Sequence, residues 1–142
     1  MKVRRLLVTM GLALALAVGL STSALAANLP YDGSDPNSTG CSGSAWTPFF
    51  INVADGTLEL RFSNGCSTAW ARFTCLVGGC TNYNIFVQRQ QDGKAYSNGV
   101  SWPSSTPRNA ILYTLQVGDP GGWSAIACYN HNGGAWQCTG AY

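Results

Sequence analysis

Glu59, Arg61 and Arg72 are the charged residues whose type and spacing could do chemistry. Glu59 and Arg61 stand two apart in Leu58-Glu59-Leu60-Arg61-Phe62, where apolar and charged residues alternate. On a strand both side chains leave the same, non-core face. A carboxylate beside guanidinium groups would bind a polar ligand. The plainer alternative is a surface ion pair, worth about 0–1 kcal/mol, or a bidentate staple on the N-terminal segment. Asp32, Asp35 and Asn37 are closely spaced oxygen donors of the kind calcium takes. Their spacing is not that of an EF-hand, and Asx turns account for them more simply. His131 is the single histidine. It precedes Asn132-Gly133-Gly134 and reads as a solvated turn residue, far in sequence from Glu59. No serine has a nucleophile's setting, and a zinc site would need more histidines or free thiols. The sequence therefore assigns no catalytic residue, no metal site and no cofactor.

Cysteine decides more than any charged group. The chain has six: Cys41, Cys66, Cys75, Cys80, Cys128 and Cys138. All lie downstream of a start that reads as a secretion signal. Lys2, Arg4 and Arg5 are its basic end, residues 6–20 its apolar stretch, and Ala24-Leu25-Ala26 its small-residue cleavage site. We take residues 1–26 as a cleaved signal peptide and Ala27 as the mature start. The apolar run is short for a membrane span, and no second one follows, so the mature protein is not expected in a membrane. An even cysteine count in a short exported domain is a disulfide framework. Paired sulfurs are neither nucleophiles nor metal ligands.

Residues 27–142 form one expected domain. Without the signal, five basic residues face six acidic ones, a balance of −1. The positive charge of the full chain therefore says little about partners. No basic stripe suits a phosphate backbone, which argues against nucleic acid.

The elements that must position these groups are strands. Residues 27–45 are an irregular, turn-rich arm. Beyond it, short apolar segments are cut by Gly, Asn, Asp and Pro with no sustained helical period, which argues all-β. Asp55-Gly56 reads as a two-residue hairpin turn. Its register pairs Val53 with Leu58, Ile51 with Leu60 and Phe49 with Phe62 on one apolar face. Asp92-Gly93 reads as a second turn, between residues 83–90 and 94–102, with Ile85 facing Val100 and Val87 facing Asn98. Ile111, Tyr113, Leu115 and Val117 alternate with Leu112, Thr114 and Gln116 as one further strand. Residues 123–130 and 135–142 flank a loop at Asn132 to Gly134. A three-residue loop there sets Cys128 opposite Cys138, at a separation suited to a disulfide. Six cysteines allow fifteen pairings. For the rest we take Cys75–Cys80, closing a tight loop, and Cys41–Cys66, pinning the arm. The expected fold is a small antiparallel β-sandwich or partly open barrel with three disulfides.

Three groups of residues carry a family resemblance. Tyr31-Asp32-Gly33, Asp35-Pro36 and Thr39-Gly40-Cys41 make an opening motif. Leu58-Glu59-Leu60-Arg61-Phe62-Ser63, Cys66 and Trp70-Ala71-Arg72 make a central one. Cys138-Thr139 and Tyr142 close it. Together they resemble the secreted bacterial proteins grouped as domain of unknown function 2690. The resemblance implies export, an extracellular bacterial home and a Cys41–Cys66 link. It implies no reaction. The Cys75–Cys80 insertion is not part of the pattern.

Trp46, Trp70, Trp102, Trp123 and Trp136 are a high aromatic load for this length. They fill a core and shield sulfur, or stack on the sugars of a cell wall. The expected function is a secreted, non-catalytic extracellular binding module contacting cell-envelope glycan or an extracellular protein, with Glu59, Arg61 and Arg72 as candidate binding residues. The alternatives are a small secreted hydrolase using Glu59 with an arginine, and an inhibitor or toxin-like protein presenting the Cys75–Cys80 loop.

Overall fold

A computed structural model describes residues 27–142. The expected signal peptide, residues 1–26, lies outside the described residues. After a 3-10 turn at Cys41–Ser44, the strands are β1 (Ala45–Val53), β2 (Gly56–Ser63), β3 (Thr68–Cys75), β4 (Tyr83–Arg89), β5 (Ala95–Val100), β6 (Ala110–Tyr113), β7 (Val117–Gly118), β8 (Ala125–His131) and β9 (Gln137–Cys138). They form two antiparallel sheets, β1-β2-β3-β6 with β7 also on β3, and β5-β4-β8-β9. Among the described residues no strand of one sheet pairs in register with a strand of the other, so the fold is an open sandwich.

Period-2 alternation fills the space between the sheets. Leu58 and Leu60 on β2, and Ala69, Ala71 and Phe73 on β3, meet Tyr83, Ile85 and Val87 on β4 and Ala125, Ala127 and Tyr129 on β8. The alanines leave room for the larger rings: Phe73 stacks on Tyr83 with centroids 4.8 Å apart. The next inward position of β4 after Val87 is Arg89, which is fully buried.

The three disulfides are Cys41–Cys66, Cys75–Cys80 and Cys128–Cys138. Cys128 faces Cys138 across β8 and β9, as the three-residue loop requires.

Both Asp-Gly hairpins differ from the expected register by two residues. In the first, Val53 pairs with Gly56, Ile51 with Leu58 and Phe49 with Leu60, so the turn is Ala54-Asp55. Asp55 is held there by tertiary contacts: its carboxylate accepts the Tyr83 hydroxyl, and its carbonyl accepts the Leu76 N–H at 2.8 Å. Gly56 serves close approach instead of the turn, because a Cβ there would lie 2.3 Å from the Thr74 carbonyl oxygen and 2.6 Å from the Phe73 ring. A two-residue shift keeps parity, so the apolar face is preserved. In the second, Ile85 pairs with Asn98 and Val87 with Tyr96. The loop is the four residues 90–93, closed by Arg89 N–H to Lys94 O at 2.9 Å. Asp92 leaves the turn to pair with Arg89.

The strand expected through residues 111–117 is broken after Tyr113, and the alternation fails before Val117, which is buried in the core. Ile111 and Leu115 are exposed, whereas Thr114 and Gln116 are buried. Hydrogen bonds outweigh hydropathy here. Thr114 Oγ1 accepts the Ala71 N–H, and the Gln116 side chain bonds Thr68, Ser34 and Thr39. Gln116 also exchanges backbone bonds with Gly33 and Ser34, which seats the N-terminal arm between β6 and β7.

Candidate functional site

Strand register brings the sequence-predicted trio together. Glu59 lies opposite Arg72 across β2 and β3, and Arg61 follows on the same outer face. Arg72 binds Glu59 with both arms, Nε to Oε2 at 2.6 Å and Nη2 to Oε1 at 2.8 Å. Thr47 Oγ1 donates to Glu59 Oε1 at 2.9 Å. Arg61 reaches Thr47 Oγ1 at 2.6 Å and the Ala45 carbonyl at 3.1 Å, while standing 4.0 Å from Glu59. Thr47 lies within the β1 irregularity between Trp46 and Phe49, and Ala45 just before it. The network therefore ties that bulge to β2 and β3. Burial pushes the Glu59 carboxyl up. Hydrogen bonds from Arg72 and Thr47, with the charges of Arg72 and Arg61, outweigh this and hold it below the ordinary carboxylate range. Burial, then the Arg72 charge, draws Arg61 below the ordinary guanidinium range. An ionised Glu59 with both oxygens engaged is in the wrong state for a general acid. A cleft of about 270 Å³ lies beside this network, between the arm at Pro36 and Asn37 and Arg61, Trp70, Arg72 and Tyr113.

The other singled-out residues lie elsewhere. Asp32 turns to Arg89 and the Gly118 N–H. Asp35 Oδ1 accepts the Asn37 and Ser38 N–H groups at 2.7 and 3.0 Å, an Asx turn. The two carboxylates thus serve different structures. His131 is exposed on the other sheet from Glu59, its ring stacked on Tyr83 at 4.4 Å. The Cys75–Cys80 loop is pinned by Leu76 N–H to Asp55 O and Gly79 N–H to Thr106 O, with Leu76 exposed. Trp70 is buried, and Trp46 and Trp136 are exposed.

A second cleft, about 340 Å³, opens at the end of the sandwich where the β2–β3 turn, the 119–124 loop and Tyr142 meet. Its aromatic walls are Phe62, Trp123 and Tyr142. Phe62 and Trp46 both meet Tyr142 edge-on, with centroids 5.0 and 5.1 Å away. Asn64 and Ser67 add polar groups. Asp119 lines this cleft at 3% exposure. Its backbone N–H donates to Ser67 O at 2.7 Å. Its Oδ1 is buried with no hydrogen-bond partner among the described residues. Burial raises the carboxyl to about 6, restrained by the charge of Arg89, which lies over the Trp123 ring at 5.0 Å. Sequence reasoning counts Asp119 among the acidic residues and does not single it out. A carboxylate before Pro120-Gly121-Gly122 is ordinary in sequence; burial without a partner shows only in three dimensions.

A buried acceptor without a donor, beside aromatic faces, is fitted to a ligand that brings hydroxyl or N–H donors on an apolar ring. Comparison with known proteins adds descent. The chain is 30% identical over 129 residues to the uncharacterized protein YjfA of Bacillus subtilis (strain 168), covering 79% of this chain and 80% of that one. No solved structure matches. The model of the family described as "Protein of unknown function (DUF2690)" matches residues 29–128. With its opening and central motifs inside that match, the chain belongs to the DUF2690 family.

Proposed function

We propose that this chain is an exported, non-catalytic binding module that contacts cell-envelope glycans through the cleft at Asp119. Export is supported by the signal-like start and by three disulfides, which persist in oxidising compartments. Among the described residues no helix is long and apolar enough to cross a membrane.

The observation that carries the binding reading is Asp119 Oδ1, buried without a hydrogen-bond partner among the described residues, in a cleft lined by Phe62, Trp123 and Tyr142. Sugar rings present apolar C–H faces to aromatic rings and hydroxyl donors to a carboxylate. At about 340 Å³ the cleft is at the small end of ligand sites, suited to one or two rings of a longer polymer. In this reading Glu59, Arg61 and Arg72 hold the outer face of β1, β2 and β3 in shape. A hydrolase built on Glu59 has less support, because that carboxylate is ionised and fully engaged.

Co-sedimentation with purified peptidoglycan and with insoluble polysaccharides tests the proposal. The folded protein is expected in the pellet with at least one of them, and Tyr142→Ala is expected in the supernatant. Absence from every pellet would reject it.

A further inference from the structure

Arg89 occupies a core position, and two carboxylates follow it inside. Its Nη1 meets Asp32 at 3.1 Å, its Nη2 meets Asp92 at 2.5 Å, and its Nε also reaches Asp92 at 2.9 Å. The three side chains are 0%, 4% and 6% exposed. One guanidinium against two carboxylates leaves the cluster one positive charge short. A buried charge without compensation is costly.

The group that approaches from outside is the nitrogen of Ala27. It donates to Asp92 Oδ2 at 2.8 Å, and the Ala27 carbonyl accepts from Arg89 Nη2 at 2.6 Å. Leu29 N–H and Gly118 N–H bind Asp32, and Leu29 packs where a Cβ on Gly118 would stand, 2.6 Å from its own Cβ. The first residues of the expected mature chain are thus threaded into the ion cluster. In an uncut chain the Ala27 nitrogen is a neutral amide. After cleavage between Ala26 and Ala27 it is an ammonium carrying the missing charge, and ionised donors make roughly twice the bond of neutral ones.

We propose that signal removal is itself a folding step: it creates the α-ammonium of Ala27, which pairs with Asp92 and completes the buried ion cluster around Arg89. The proposal rests on the export reading above but not on the glycan reading. The charged groups around the new terminus are Asp92 and Arg89 on the β4–β5 hairpin, Asp32 on the arm, and Lys94, whose Nζ binds Asn28 Oδ1 at 2.6 Å. Asp119 acts on the same Arg89 from the β7–β8 loop. An ammonium paired with Asp92 holds its proton above the ordinary α-amino range of about 7.7–8.0. Its contribution is therefore full below that range and is lost as pH rises through the folded-state value.

The test compares two chains beginning at Ala27, one with a free amine and one N-acetylated, both with oxidised cysteines. At pH 6 the free-amine chain is expected to melt about 4 °C higher. The gap should begin to narrow above about pH 8, close only as pH passes the higher folded-state value, and vanish in Asp92→Asn. Equal melting at pH 6 overturns the pairing and leaves the export reading standing. N-terminal sequencing of the protein from the medium should start at Ala27. A different first residue overturns the proposal alone, and an uncut chain retained in cells overturns export with it.

Discussion

Arg89 Nη1 lies 3.1 Å from Asp32 Oδ1, at the end of the inward row Tyr83, Ile85, Val87 on β4. A strand that is apolar at three successive core positions places a guanidinium at the fourth. The arm and the β4–β5 loop are folded over to answer it. Arg89→Met keeps the volume and strands Asp32 and Asp92, so it should cost about 3–5 kcal/mol in urea denaturation. Lys94→Gln, at the exposed edge of the same region, should stay within about 0.5 kcal/mol. A loss below 1 kcal/mol in Arg89→Met would contradict the account.

Much of this was readable in the chain, and the failures have physical causes. Cys128 and Cys138 were placed opposite each other because Asn132 to Gly134 sets the loop length locally. The Asp55 hairpin came out two residues off because the Tyr83 hydroxyl and Leu76 amide, distant in sequence, decide where Asp55 sits. The alternation of Ile111, Tyr113, Leu115 and Val117 with Leu112, Thr114 and Gln116 does not by itself say which set faces inward; Thr114 and Gln116 are inward because they close hydrogen bonds to β3 and the arm. Parity puts Glu59 and Arg61 on one face, and the β2–β3 register adds Arg72 to it. Asp119 could not be found, since an unpaired buried atom is a property of packing and not of spacing.

The Glu59–Arg72 pair should behave as a staple. Arg72→Lys loses the two-armed geometry, and about 1 kcal/mol of stability with it. Glu59→Gln should cost somewhat more near neutral pH. Because the Glu59 carboxyl is depressed in the fold, its contribution is present above the ordinary carboxylate range and lost as pH falls through its folded value. The gap between the wild type and Glu59→Gln, followed by thermal melting, should therefore shrink below about pH 4. A gap that is constant down to pH 2 would show that Glu59 acts otherwise.

Asp119 should show the opposite sign. Its carboxyl is raised to about 6 by burial, so the folded state binds the proton more tightly than the unfolded one. Stability attributable to this group falls as pH rises from about 4 to 6 and stays lower above. Asp119→Asn should raise the melting temperature at pH 8, by about 2 kcal/mol in free energy, and change it little at pH 4. Destabilisation at pH 8 would mean that the carboxylate has a partner in the folded protein.

The bridges should rank by the chain they close. On loop entropy, Cys41–Cys66 with a separation of 25 is worth about 3.5 kcal/mol and Cys75–Cys80 with a separation of 5 about 2 kcal/mol. Paired Cys→Ala variants, unfolded in guanidinium, should keep that order. Greater damage from losing Cys75–Cys80 would assign that loop a larger part in the fold.

The claim on which the functional account turns is that the end of the sandwich around Asp119 takes a sugar. Amide shifts recorded by NMR while soluble peptidoglycan fragments are titrated into the protein test it most directly. Saturable shifts should concentrate at Asn64, Ser67, Asp119, Trp123 and Tyr142, and be lost in Asp119→Asn. Shifts confined to the Glu59–Arg72 face, or none at millimolar ligand, would contradict it.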